Sequence, residues 1–428
     1  MTDAPKTIAI IGAGINGVAT AIWAQREGHN VILIEREEQA GEGASFGNGG
    51  VLAACSVVPV TVPGLLRKAP KMLFSPSQPL FLKWSYLPRL MPWLMKYLAH
   101  GNAGDVRRIA QALHGIVGDS LQDHLALARG TGAEAFILPS DYLFLYRDRA
   151  HYEGDTFGWG IRRELGFAWD EMERPALAEY DPAFSDAAGF AARLGDHGRI
   201  ADPGRYIKAL AAHAVANGAQ MIKATATDFA RENGRITGVR VATRSGEDTI
   251  ACDAAVLATG AWSKALGEKL GLRIPLETER GYHLELWEPS AMPRSPVMVA
   301  SGKFVMTPME GRLRLAGIVE FGGLDAPASA APIALLKRQL AEVLPGLTWA
   351  HEREWMGHRP APADSIPAIG EVPGLKGAFL GFGHHHIGLT GGPKTGQILA
   401  RLISGRKPNI DLEPYSPARF VHRIPTPA

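Results

Sequence analysis

Ile8-Ala9-Ile10-Ile11-Gly12-Ala13-Gly14-Ile15-Asn16-Gly17 is the stretch from which the fold can be read. Four consecutive apolar residues suit a short strand covered on both faces, as in a parallel sheet. Glycines follow at once, and a helical pattern then runs to about Glu27. Gly28-His29-Asn30 ends that helix, Val31-Ile32-Leu33-Ile34 reads as a second buried strand, and Glu35 closes it. Each residue type has a physical task. Gly12 permits the tight turn out of the strand, Gly14 lets the backbone approach a pyrophosphate, and Gly17 lets helix and strand pack closely. The helix start at Ile15 and Asn16 offers free N–H groups and a partial positive charge to phosphates. Glu35, with Arg36 beside it, can accept hydrogen bonds from ribose hydroxyls. A GxGxxG alone is a weak signal. Set in a complete strand–helix–strand unit with the acidic residue in place, it predicts a dinucleotide site.

Working outward, three segments favour a flavin over a nicotinamide dinucleotide. Gly43-Ala44-Ser45-Phe46-Gly47-Asn48-Gly49-Gly50 is a loop bare enough to lie against a flat ligand, with Ser45 suited to a phosphate and Asn48 to a ring edge. Asp253 to Trp262 is a buried strand ending in a Thr259-Gly260 turn. Before it, Arg235 to Arg240 and Ile250 to Ala251 read as strands of a hairpin insertion turned by Asn233-Gly234, and Asp202 to Asn217 reads as a helix with Pro203 near its start. A dinucleotide fold that begins at residue 1 thus resumes near residue 200. Last, Gly377 to Gly383 is a strand, His384 to Gly392 a loop and Pro393 to Leu402 a helix with Gly405 after its end. That helix start, reached through Gly388, Leu389 and Thr390, offers a positive dipole end to the N1–C2=O side of a reduced flavin.

At 428 residues the chain exceeds what one hydrophobic core usually organises, so two domains are expected. A formal charge of +2 argues against a nucleic-acid footprint. Cys55 and Cys252 belong to no CxxC pair and make no disulfide framework, which suits reduced thiols in the cytoplasm. Met1 to Ile11 lacks the basic and apolar regions of a secretory leader, and no apolar run is long enough to span a bilayer. Residues 80–98 mix aromatics with Lys and Arg around Pro88 and Pro92. They read as helices of a substrate domain, with peripheral docking on the inner face of the cell membrane as the alternative.

These segments together resemble the D-amino-acid oxidase superfamily of flavoproteins, most closely its D-amino-acid dehydrogenase branch. The similar residues are 12–21, Glu35-Arg36, the Ala44–Gly50 loop, Gly198 to Pro203, Ala258-Thr259-Gly260-Ala261-Trp262, Arg280-Gly281-Tyr282, Gly357-His358-Arg359-Pro360, Asp364 to Gly370 and the Gly383–Gly392 loop. The likeness spans nearly the whole chain. It implies an α/β fold (α+β overall): a Rossmann-like FAD-binding domain of the glutathione-reductase type and a second, substrate domain with a mostly antiparallel sheet roofing the flavin. The expected division is 1–75, 196–271 and 351–428 for the FAD-binding domain, and 76–195 and 272–350 for the substrate domain. Alternation at Tyr282 to Leu286 and Arg312 to Leu315 fits strands with one covered face. The resemblance further implies oxidation of the C–N bond of a small amino acid, a D-amino acid favoured, with oxygen or a quinone as electron acceptor. The imino acid formed hydrolyses to a keto acid and ammonia. The sarcosine-oxidase branch attaches FAD to a cysteine near the C-terminus; no cysteine follows Cys252, so FAD is expected to be non-covalent.

The flavin carries the difficult chemistry, so the protein needs a carboxylate anchor rather than a triad. Arg359 is the first candidate, because related enzymes grip the substrate carboxylate with the corresponding arginine. Tyr282 is expected on the flavin-facing side of its strand, with His283 on the other face. His384 is expected at the edge of flavin and substrate. The run His384-His385-His386 has no metal-ligand spacing, and no metal is expected. Lys394 reads as a solvated helix lysine, although some relatives use a lysine near the flavin for oxygen. The residues Pro393-Lys394-Thr395-Gly396 and the triple histidine depart from the dehydrogenase branch, which leaves the substrate open. Glycine, sarcosine or D-hydroxyproline are the alternatives within the superfamily. A flavin-bearing RNA-modification component would need a basic surface or an extra domain, and a nicotinamide dehydrogenase would not need Asn48-Gly49-Gly50.

Overall fold

The first strand–helix–strand unit forms where its pattern predicts. In the computed structural model, which describes residues 4–65, 80–184 and 188–421, the strand Thr7–Ile11 pairs in parallel with Asn30–Glu35 on one side and Ala254–Leu257 on the other. Ile8 to Ile11 are buried on both faces because the helix Ile15–Arg26 covers one side of this sheet and a small antiparallel sheet the other. The full order of six strands is Ala368–Glu371, Ala378–Phe382, Ala254–Leu257, Thr7–Ile11, Asn30–Glu35, Gln220–Lys223. All pairings are parallel except that of Ala368–Glu371. Its strands come from both ends of the chain and from its middle.

The hairpin insertion has three strands, Thr225–Glu232, Arg235–Thr243 and Gly246–Ala251, one more than expected. Asn233 and Gly234 turn the first hairpin with φ of 48° and 72°, values these residue types tolerate.

A ten-stranded, mostly antiparallel sheet forms the other half. At one edge His351–Pro362 pairs along its whole length with Leu276–Trp287, which then pairs with Arg312–Phe321. Residues 351–362, expected with the cofactor segments, therefore belong to the larger sheet. Their exposed, charged start, His351 to Glu354, hid the strand pattern. Phe190–Ile200 runs through the expected boundary at 195/196 and pairs with Val51–Leu52, while the boundary at 75/76 lies outside the described residues. The expectation of one covered face is also corrected. Leu276–Trp287 and Arg312–Phe321 are buried on both sides, and the charges on their second face pair with each other.

The last helix starts earlier than expected, at Gly388, and runs to Ile403 with Pro393 inside it. A proline there leaves the Leu389 carbonyl without its helical N–H. His124 Nε2 donates to that oxygen at 2.9 Å, and Ser120 Oγ donates to the Thr390 oxygen at 2.9 Å. His124 thus satisfies the carbonyl the proline vacates, Ser120 secures the next one, and the helix continues through it. The helix Leu87–Ala99 buries Leu90, Trp93 and Tyr97, and Trp93 Nε1 donates to the Ala361 oxygen at 2.9 Å. Among the described residues no helix is long and apolar enough to cross a membrane.

Candidate active site

A large cavity of about 1430 Å³ runs between the two main sheets. Gly12 opens one end of it. Its φ of 99° suits glycine, and a Cβ there would stand 2.7 Å from the Ala258 oxygen. The Ile15 N–H donates to Ser45 Oγ at 3.1 Å, so the bare loop caps the first helix. The Glu35 carboxylate is held in place by the N–H groups of Ala13 at 2.7 Å, Arg36 at 2.9 Å and Glu37 at 3.1 Å. Arg36 lies over the Trp262 ring, 3.9 Å from its centre. Of the residues the sequence assigned to the cofactor, Gly12, Gly14, Ile15, Asn16, Glu35, Arg36, Ser45, Asn48, Gly49, Thr259, Gly260, Gly388, Leu389 and Thr390 line this cavity. Gly17 and Gly50 lie behind its wall. Gly17 packs against the Gly12 carbonyl, and Gly50 against Met309 and the Ile200 oxygen.

The loop is stitched to its surroundings. Asn48 Oδ1 accepts from the Gly50 N–H at 2.9 Å, and Arg314 donates to the carbonyls of Phe46 at 3.0 Å and Asn48 at 2.6 Å. The Arg314 side chain is itself fixed by Glu285, at 2.6 Å, and Glu285 also accepts from Arg312 at 2.7 Å. The two guanidinium groups hold the Glu285 carboxyl down at about 2 against the opposing effect of burial.

The three histidines divide their tasks. His384 is buried between Asn16 Nδ2, 3.0 Å from its Nδ1, and Thr395 Oγ1, 2.8 Å from its Nε2. The Asn16 amide nitrogen only donates, so Nδ1 accepts and Nε2 carries the proton. Burial lowers the His384 pKa to about 3, so this ring is neutral and ties the first helix to the last. His385 has a left-handed backbone, φ 45°, and its N–H donates to the Pro360 oxygen at 2.9 Å. His386 stands in the cavity wall, where enclosure and the neighbouring Arg359 hold it near 4.

Arg359 also lines the cavity, and its guanidinium sits over Gly281 of the neighbouring strand. It makes no hydrogen bond or ion pair with the described residues. Tyr282, expected beside it, also lines the cavity, but its hydroxyl is engaged in the core. Its hydroxyl donates to Glu320 at 2.7 Å and accepts from the Ser329 N–H at 2.9 Å, within the core beneath the helix Ala330–Val343. His283, expected on the other face, is buried beside Phe46 and Trp355, with Nδ1 3.1 Å from the Gly47 oxygen. Both faces of this strand are buried. Reasoning from sequence also missed Glu279, which is 3% exposed and directly opposite Arg359 in the strand pairing. A carboxylate two residues before Gly281, hence on the same face of the strand, was the available signal.

The family model described as FAD dependent oxidoreductase, DAO, matches residues 7–402. A D-amino-acid oxidase of Bradyrhizobium diazoefficiens is 40% identical over 97% of this chain and 99% of its own. A D-amino acid dehydrogenase of Methylobacterium nodulans is 31% identical, with 97% and 99% covered. Among solved structures, glycine oxidase from Geobacillus kaustophilus matches with a TM-score of 0.73 at 23% identity, covering 98% of this chain and 99% of that one. The residues present fit a flavin dinucleotide. A Cβ on Gly14 would project to within 3.3 Å of Ser45 Oγ, and on Gly49 would meet nothing closer than 3.8 Å, so bare backbone faces the cavity at both ends.

Proposed function

Because this chain belongs to the DAO family of FAD dependent oxidoreductases, we propose that it oxidises the C–N bond of a small D-amino acid. FAD, when bound, supplies the N5 atom that takes a hydride from the α carbon. The imino acid so formed hydrolyses in water to a keto acid and ammonia.

The observation that carries this reading is the guanidinium of Arg359, unpartnered among the described residues, in the same cavity as the dinucleotide fingerprint. An enclosed cation in no ion pair is costly, and a substrate carboxylate offers the planar, bidentate partner it lacks. Arg359 binds and orients the substrate. Ser45, Glu35, Arg36 and the two helix starts hold the cofactor without a covalent bond. His384, neutral and hydrogen-bonded on both nitrogens, positions the helices rather than moving protons. The electrons pass to oxygen or to a quinone; the relatives include an oxidase and a dehydrogenase. Contact with a membrane through residues 80–98 is the surface we assign to a quinone route, since Met91 and Met95 are exposed on a helix whose other side lines the cavity.

The test is an anaerobic flavin spectrum of the purified holoenzyme mixed in turn with D-amino acids, L-amino acids, glycine, sarcosine and D-hydroxyproline. Bleaching by D-amino acids supports the reading, and bleaching only by another class overturns the substrate assigned. Readmitting air, or adding a quinone analogue with and without lipid vesicles, identifies the acceptor.

A further inference from the structure

Glu279 and Arg359 are paired across neighbouring strands and both line the cavity, yet they do not touch. No nitrogen of Arg359 comes within the 4.0 Å of an ion pair with the Glu279 carboxylate. Two opposite charges this enclosed gain by closing on each other. Here the guanidinium is drawn aside onto Gly281, and a gap bounded by a cation and an anion remains.

The groups that face Glu279 are Arg359 from the adjacent strand, His385 and His386 from the turn, and Tyr97 from the helix Leu87–Ala99. Burial pushes the Glu279 carboxyl up, but the neighbouring His385 and the Arg359 guanidinium outweigh it, so its pKa lies below the ordinary value. His385 Nδ1 is 3.7 Å from Glu279 Oε1, and its Nε2 is 3.2 Å from the Pro362 oxygen. A carbonyl only accepts, so Nε2 carries the proton, and in the neutral ring the lone pair of Nδ1 faces the carboxylate. One added proton turns that contact into a charge-assisted hydrogen bond. The ring is held in this orientation by a left-handed backbone, a conformation retained at some cost.

We propose that Glu279 receives the ammonium group of the amino acid whose carboxylate sits on Arg359, and that the pair Glu279–His385 takes one proton from it. The proposal rests on the reading of Arg359 as the carboxylate seat. An N–H bond of the ammonium breaks and an O–H bond forms on Glu279; that proton then passes to Nδ1 of His385. The products are a neutral amine, an ionised Glu279 and a protonated His385, and the total charge is unchanged. The amine needs this, because its lone pair must form the C=N bond as hydride leaves the α carbon. His386, neutral by enclosure, does not compete for the carboxylate.

The experiment is the pH dependence of anaerobic flavin reduction at limiting amino acid, for wild type, Glu279→Gln and His385→Asn, each loaded with FAD. Asparagine tolerates a left-handed backbone, so His385→Asn keeps the turn and carries the test if Glu279→Gln fails to load FAD. At neutral pH the variants are expected to lose about 100-fold in rate constant over dissociation constant, the scale of general-base assistance. That loss shrinks as pH rises toward the pKa of the substrate amine, where neutral amine is supplied by solution. A folded variant that keeps the wild-type profile, or loses rate equally at every pH, overturns the proposal. A wild type that no amino acid reduces overturns the functional reading and this step with it; a reducible wild type with unchanged variants overturns the step alone.

Discussion

The guanidinium of Arg359 rests on the bare backbone of Gly281, where a Cβ would stand 2.6 Å from Nε, 2.7 Å from Cζ and 2.8 Å from Nη2. Three atoms nearly equidistant from one point describe a plane lying on the strand, so the glycine is a seat for the arginine. Gly281→Ala displaces the flexible end of Arg359 and little else. We expect KM for the amino acid to rise about ten- to a hundredfold, kcat to fall less, and the melting temperature to hold. Steady-state kinetics beside a thermal melt checks this; an unchanged KM removes Gly281 from any part in substrate binding.

Gly14 and Gly17 separate two tasks within one motif. A Cβ at Gly17 would lie 1.9 Å from the Gly12 oxygen, which is backbone and has little room to move. Gly17→Ala should cost about 1–3 kcal/mol of stability even without cofactor, despite the better helix propensity of alanine. Gly14→Ala should leave the apo-protein's stability nearly intact and reduce FAD retention. Urea unfolding of the apo-proteins and the flavin absorbance of the purified proteins distinguish the two outcomes; equal stability losses would contradict the division.

Glu285 anchors two buried arginines. Its folded pKa of about 2 lies below the ordinary 4.5, so its contribution is fully present above 4.5 and lost as pH falls toward 2. Glu285→Gln leaves Arg314 without its carboxylate and should cost about 3–5 kcal/mol at neutral pH. The gap between wild type and variant should narrow across that acid window. Urea unfolding at several pH values measures it, and a gap independent of pH would remove the charge from the explanation.

Five enclosed histidines predict a further acid sensitivity that begins nearer neutrality. Burial holds His283 and His384 near 3, and His124, His358 and His386 near 4, all below the ordinary 6.5. The unfolded chain binds these protons first, so stability declines as pH falls below 6.5. Each histidine adds up to about 1.4 kcal/mol per pH unit until its folded pKa is reached. Chemical denaturation followed from neutral to mildly acid pH should show this slope before the Glu285 window begins.

The parts of the molecule legible in the sequence were those set by local rules. Ile8 to Gly17 with Glu35, the Gly43–Gly50 loop and the Asn233-Gly234 turn each depend on residues close in the chain. What stayed hidden depends on partners far away. That both faces of Leu276–Trp287 are covered could not be read, because Glu285, Arg312 and Arg314 bury charge on a side that alternation marks as solvent-facing. The start of the last helix was set late because Pro393 reads as a first-turn residue unless Ser120 and His124 are known to stand beside it. Glu279 gained meaning only from its strand partner.

The chain of charges from Asp202 to the Phe46–Asn48 carbonyls links three parts of the polypeptide. Asp202 caps the helix Pro203–Ala216 and pairs with Arg312 at 3.0 Å; Glu285 joins Arg312 to Arg314, which grips the loop. The loop that cradles the ligand thus borrows its shape from the opposite sheet. It cannot set before that sheet has assembled, so ligand capture comes late in folding, and the two halves should melt together rather than in sequence.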